Sequence, residues 1–200
     1  MANPSSGKNA APASSVTRRP PKAGTARPRL LFTIGHSTRP LEELVTMLRA
    51  HGVERLVDVR TIPRSRRNPQ FNRETLGPHL RNRRIAYRHM KSLGGLRRPR
   101  PDSSNAGWRN ASFRGYADYM QTAEFASALE RLAELAREKT TVIMCAEAVP
   151  WRCHRSLIAD ALIVRGVEVR DIMSPTRAKP RSLNPMARVD GLEVTYPKEV

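Results

Sequence analysis

Acidic side chains are scarce in this chain: 18 Asp and Glu stand against 36 Lys and Arg, a formal charge of +18 over 200 residues. Long apolar runs are missing too. No stretch approaches the ~18 residues a membrane-spanning helix needs, and no apolar signal-peptide core is visible, so secretion and membrane insertion find no support. A cytoplasmic location is expected. Only two cysteines are present, too few for a disulfide framework, and in a reducing compartment both are expected as thiols. There is no internal repeat, and no helix-turn-helix, zinc-finger or single-strand RNA signature.

The positive charge that is present is unevenly placed. Residues 1–29 carry six Lys/Arg and no acid, and residues 60–100 carry thirteen against Glu74 alone. These two segments account for the whole excess, so basicity belongs to a tail and one loop-rich segment. A phosphate-bearing partner, nucleic acid or a small ligand, is the implied reading, and general arginine richness without a partner is the plain alternative. Residues 1–29 hold almost no large apolar side chain and cannot offset the entropy of ordering, which predicts a disordered basic tail. They lack the helical apolar face of a transit peptide.

The stretch Thr140–Leu162 organises the rest. Val142, Ile143 and Met144 suit a short buried strand, while Leu157, Ile158, Ala161 and Leu162 form a helical stripe. Between them lie Cys145, Glu147, Trp151, Arg152, Cys153, His154 and Arg155, so both thiols flank one strand-to-helix turn. Such turns sit at strand carboxyl ends, where ligands usually bind, and a helix start favours anions and would favour a thiolate at Cys153.

Similar units surround it. Leu30–Ile34 predicts a strand ending at Gly35-His36-Ser37, before a helix striped by Leu41, Leu44, Val45 and Leu48. Glu54–Val59 predicts a second strand with Asp58 and Arg60 at its end, then a helix to Arg83 and a strand at Ile85–Tyr87. A long mobile loop is expected over Arg97–Arg114, one helix over Gly115–Glu138, and a fifth strand over Val167–Ile172. Strands alternating with helices predict one Rossmann-like α/β domain over residues 30–200, a mainly parallel five-stranded sheet with helices on both faces. Asp190-Gly191 between short apolar stretches predicts a hairpin near residues 186–197.

Several separated motifs stand in order: Thr33-Ile34-Gly35-His36-Ser37, Asp58-Val59-Arg60 with Pro63, Ser65 and Arg66, Phe71-Asn72, Leu93-Gly94-Gly95, Met144-Cys145-Ala146-Glu147 and Cys153-His154-Arg155. In these the chain resembles the bacterial and archaeal family labelled domain of unknown function 488, over roughly Leu30–Pro197. The resemblance implies an α/β fold with the motifs gathered at one end of the sheet; it supplies no substrate and no cofactor.

Three chemistries fit these residues. An enzyme acting on a nucleotide or nucleic acid would use Cys153 or Cys145 as a nucleophile, with His154, Glu147, His36 or Asp58 moving protons. Arg60, Ser65, Arg66, Arg155, Ser37, Gly94 and Gly95 would then bind substrate. The layout is similar to rhodanese and tyrosine phosphatase loops, although the phosphatase arginine would fall at Trp151 and Arg152 comes one position late. A non-catalytic nucleic-acid module is the second, with Phe71 and Tyr87 as stacking surfaces. The third is a thiol-redox or metal site at Cys145, Cys153 and His154, with Glu147 or His36. Seven residues between the cysteines is no standard ligand spacing, so no metal is expected from the pattern. Packed cysteines, and Asp58 and Glu147 in ion pairs with arginines, are the purely structural alternatives.

Overall fold

In a computed structural model, Met1 and residues 30–198 are described. The tail expected over residues 1–29 lies outside the described residues, apart from Met1. Five strands, β1 (Leu30–Gly35), β2 (Arg55–Asp58), β3 (Ala86–His89), β4 (Thr141–Cys145) and β5 (Glu168–Ser174), run parallel, and β6 (Arg177–Pro180) adds antiparallel to β5. The order is β3-β2-β4-β1-β5-β6. The sheet thus has six strands where five are expected. The extra one reads poorly in sequence because Arg177, Lys179 and Pro180 break the apolar pattern, which only an edge strand tolerates.

Two apolar cores show how the sheet is covered. Alternation along β4 sends Val142 and Met144 to one face and Ile143 and Cys145 to the other. Helices α1 (Leu41–Ala50) and α2 (Arg73–Arg81) pack on the first face. Helices α3 (Ala111–Met120), α4 (Ala123–Glu138) and α5 (Arg155–Val164) pack on the second. The parallel strands are buried on both sides, so they read as short unbroken apolar runs.

The single helix expected over Gly115–Glu138 is two. Asn110 caps α3, its side chain accepting from the N–H groups of Ser112 and Phe113, and Thr122 caps α4 by accepting from Phe125 N–H at 3.2 Å. The preceding loop is tied down by buried Asp118, which accepts from Arg100 N–H, Ser103 Oγ–H and Asn105 Nδ2–H. A hairpin of β7 (Arg188–Asp190) and β8 (Glu193–Thr195) ends the described chain. Tyr196, just after it, donates its hydroxyl to Asp160 on α5 at 2.7 Å. No helix among the described residues is long and apolar enough to cross a membrane.

Candidate functional site

The motif residues collect at the carboxyl end of the sheet but divide into two clusters, and the two-residue period of the strands decides which goes where. Cys145, last in β4, points to the face covered by α3, α4 and α5. A 3-10 turn at Pro150–Arg152 then returns the chain so that Cys153 and His154 stand beside it at the start of α5. The Cys145 and Cys153 sulfurs lie 3.9 and 3.7 Å from His154 Nδ1. All three donor atoms fall within 4.8 Å of one another.

The His154 ring is held from three sides. Its Nε2 lies 3.0 Å from the Val59 carbonyl, which can only accept, so Nε2 carries the hydrogen and the neutral ring presents an Nδ1 lone pair to the sulfurs. The Tyr116 ring packs at 4.9 Å between centroids. Gly95 closes the remaining side: a Cβ there would stand 3.0 Å from Nδ1. Gly94 has no room for a side chain either, as a Cβ would lie 2.6 Å from Thr61 Oγ1. These glycines thus shape the wall behind the imidazole.

The cluster opens on a cleft of about 410 Å³, within the ~300–1,000 Å³ typical of small-molecule sites. Cys145, Glu147, Cys153 and His154 form one wall, and Arg60, Thr61, Ile62, Gly95, Leu96 and Phe113 contribute to the others. The cysteines are free thiols, buried but reaching its floor.

Asp58 sits on the opposite face, where it forms a closed polar network. Arg60 donates from Nε to Asp58 Oδ1 at 2.9 Å, from Nη2 to Oδ2 at 2.6 Å and to the Phe71 carbonyl at 2.7 Å. Arg60 Nη1 lies 3.2 Å from His36 Nε2, whose ring partner Nδ1 donates to the Ser37 carbonyl at 2.7 Å. Tyr87 Oη–H also donates to Asp58, and the His36 ring stacks on Phe71 at 4.2 Å. Asp58 is fully buried and Arg60 is 6% exposed. Breaking such a pair typically costs about 3–5 kcal/mol, so its first role is to hold the strand end.

The profile for Domain of unknown function DUF488 matches residues 40–162, more than half of the chain. The chain belongs to this family. No curated protein and no solved structure matches it. The matched span takes in the DUF488 motifs from Asp58 to Arg155 and excludes Thr33–Ser37 on β1.

Within this DUF488 protein the expected substrate-binding arginines are mostly committed elsewhere. Arg155 is 1% exposed and donates to the Glu147 and Ala148 carbonyls at 2.6 and 3.0 Å, bracing the turn through its backbone. The Glu147–Arg155 ion pair of the structural alternative is absent: the exposed Glu147 carboxylate accepts from Val149 N–H instead. Ser65 ties its own loop, with its hydroxyl accepting from Asn68 N–H and its N–H donating to Asn72. Ser37 occupies a left-handed turn (φ 51°) and Arg66 is exposed outside the cleft lining. Phe71 is fully buried and offers no stacking surface, while Tyr87 is half-buried, away from the cleft.

The two thiols act on each other. The Cys153 thiol donates toward Cys145 and, with the nearby Arg155 charge, lowers the Cys145 pKa against the opposing effect of burial; Cys153 is pushed up by that same contact and by burial. His36 is lowered, first by burial, with the Arg60 charge adding to it, so it stays neutral. Tyr87 is raised by burial and by the Asp58 carboxylate.

Sequence reasoning missed the Val59 carbonyl, Tyr116, Thr61, Ile62, Leu96 and Phe113. A backbone acceptor leaves no trace in residue type. Leu96, following Gly94-Gly95 and displayed at φ 60°, is the one whose neighbours carried a signal.

Proposed function

We propose that Cys145, Cys153 and His154 hold a divalent transition metal ion, zinc by the nature of the donors, as the centre of a metal-dependent enzyme working in the cleft. The observation that carries this reading is the convergence of three donor atoms with His154 Nδ1 already turned toward the thiols by the Val59 hydrogen bond. Tetrahedral zinc with ~2.3 Å bonds to sulfur and ~2.05 Å to nitrogen would separate S and N by about 3.6 Å. The separations of 3.7 and 3.9 Å are close to that. Three protein ligands with a fourth position toward a cleft is the pattern of a catalytic zinc, and a carbonyl behind the imidazole is the usual support for a histidine ligand.

The ion would supply Lewis acidity and an activated water. Glu147 lies exposed on the same wall and is suited to accept a proton from that water. Arg60 has one N–H left after its bonds to Asp58, Phe71 and His36, and it lines the cleft, so it can donate to a substrate oxygen. This supports metal-assisted hydrolysis or addition as the reaction class.

A thiol nucleophile is the second reading, favoured by the lowered Cys145. Metal content separates the two. The full-length protein purified under reducing conditions should contain one metal ion per chain, retained in Glu147→Gln and lost in Cys145→Ser and Cys153→Ser. Metal-free wild-type protein that refuses added zinc, with Cys145 open to alkylation, would leave the nucleophile reading in its place.

A further inference from the structure

Three large apolar side chains stand out at the mouth of the cleft. Ile62 is 64% exposed, Leu96 77% and Trp151 66%. Ile62 and Leu96 line the opening, and Trp151 directly precedes the lining residue Arg152. Exposing one such side chain means little, but half of the exposed large hydrophobics between residues 30 and 198 fall at one opening. Trp151 is held there by the Pro150–Arg152 turn that also sets Cys153, so its exposure follows from the geometry of the site.

Two of them are followed within two residues by an exposed arginine without an acidic partner among the described residues: Arg98 after Leu96 and Arg152 after Trp151. Two other arginines of these loops are paired with acids, Arg64 with Glu74 and Arg100 with Asp102. Exposed apolar side chains and unpaired cations thus lie close along the chain in the loops that form this opening.

We infer that the rim binds single-stranded nucleic acid, with unpaired bases resting on Trp151, Leu96 and Ile62 and the backbone phosphates meeting Arg98 and Arg152. An indole face accepts any base, and guanidinium groups beside it take the charge that each nucleotide brings, which is the construction used for unpaired strands. A duplex keeps its bases stacked inside and would engage only the arginines. The rim surrounds the metal-bearing cleft, so the inference rests on that reading for its functional meaning and names the substrate class: a strand laid across the opening delivers one nucleotide to the floor.

The test is fluorescence anisotropy of labelled oligothymidine and oligouridine with the full-length protein, in parallel with metal analysis of each sample. Binding should weaken steeply with salt, and Trp151→Ala should lose about five-fold or more in affinity, the effect of one lost base stack, with metal content unchanged. Equal affinity of Trp151→Ala and wild type would overturn the inference. So would a duplex of the same length binding as tightly as the single strand, or adenosine monophosphate competing at equal concentration. Cys145→Ser keeps the outcomes apart, since strand binding by this variant stands or falls with the rim whether or not a metal is present.

Discussion

Gly95 is the residue on which the placement of His154 depends most closely. Its missing side chain leaves the space in which the His154 ring lies, and an added methyl would press on Nδ1 at 3.0 Å, the atom aimed at the thiols. The ring cannot retreat freely, because Tyr116 packs against it and Val59 holds Nε2. Gly95→Ala should therefore fold and keep both thiols while losing about 10–100-fold in metal affinity, the usual cost of disturbing a ligand's support. Competition with a chromogenic chelator measures it; unchanged affinity would mean that Gly95 is only a loop residue. Sequence singled out Gly94 and Gly95 as substrate contacts; the close approaches the structure shows are of Gly94 to Thr61 and of Gly95 to His154, since glycine signals close approach without naming what approaches.

At the scale of elements, α5 carries the site at one end and an anchor further along. Asp160 is fully buried, accepting from Tyr196 Oη–H at 2.7 Å and Asn184 N–H at 3.2 Å, which ties the helix to the C-terminal hairpin region. Burial raises its pKa above the ordinary 3.8, and Tyr196, Arg181 and Asn184 only partly offset this. The folded protein thus holds this proton more tightly than the unfolded chain. Stability from the neutral carboxyl is fully present below about pH 3.8 and is lost as pH rises through the raised folded value. Asp160→Asn, which keeps the shape without the charge, should melt no lower than wild type at pH 7, with any gain shrinking as pH approaches 4. A large, pH-independent loss would show that the carboxylate itself is required. The elements were legible where one physical signal dominated: the apolar runs of β1, β2 and β4 and the stripes of α1 and α5. The break between α3 and α4 was not, because Thr122 and Asn110 act as caps only once the chain has turned, and β6 was hidden by charged residues that an edge strand accepts.

For the whole molecule, parallel strands bring their ends together, and the alternation of side chains then sorts what arrives. Asp58 and His36 go to one face and form a braced network, while Cys145 goes to the other and meets Cys153 and His154. Gathering at one end of the sheet was readable from strand ends; the sorting needed the register, since Asp58 pairs with Met144, one residue before Cys145. Spacing along the chain did not show the proximity of the thiols for a related reason: the seven residues between them include a turn that brings Cys153 back beside Cys145. The account's central claim is that these two thiols and His154 form one metal centre. Titration of the metal-free, reduced full-length protein with cobalt(II) tests it most directly. The account requires sulfur-to-cobalt charge-transfer absorption that saturates at one equivalent and is lost in Cys145→Ser; a titration without that absorption, with both thiols still free to react, would contradict it.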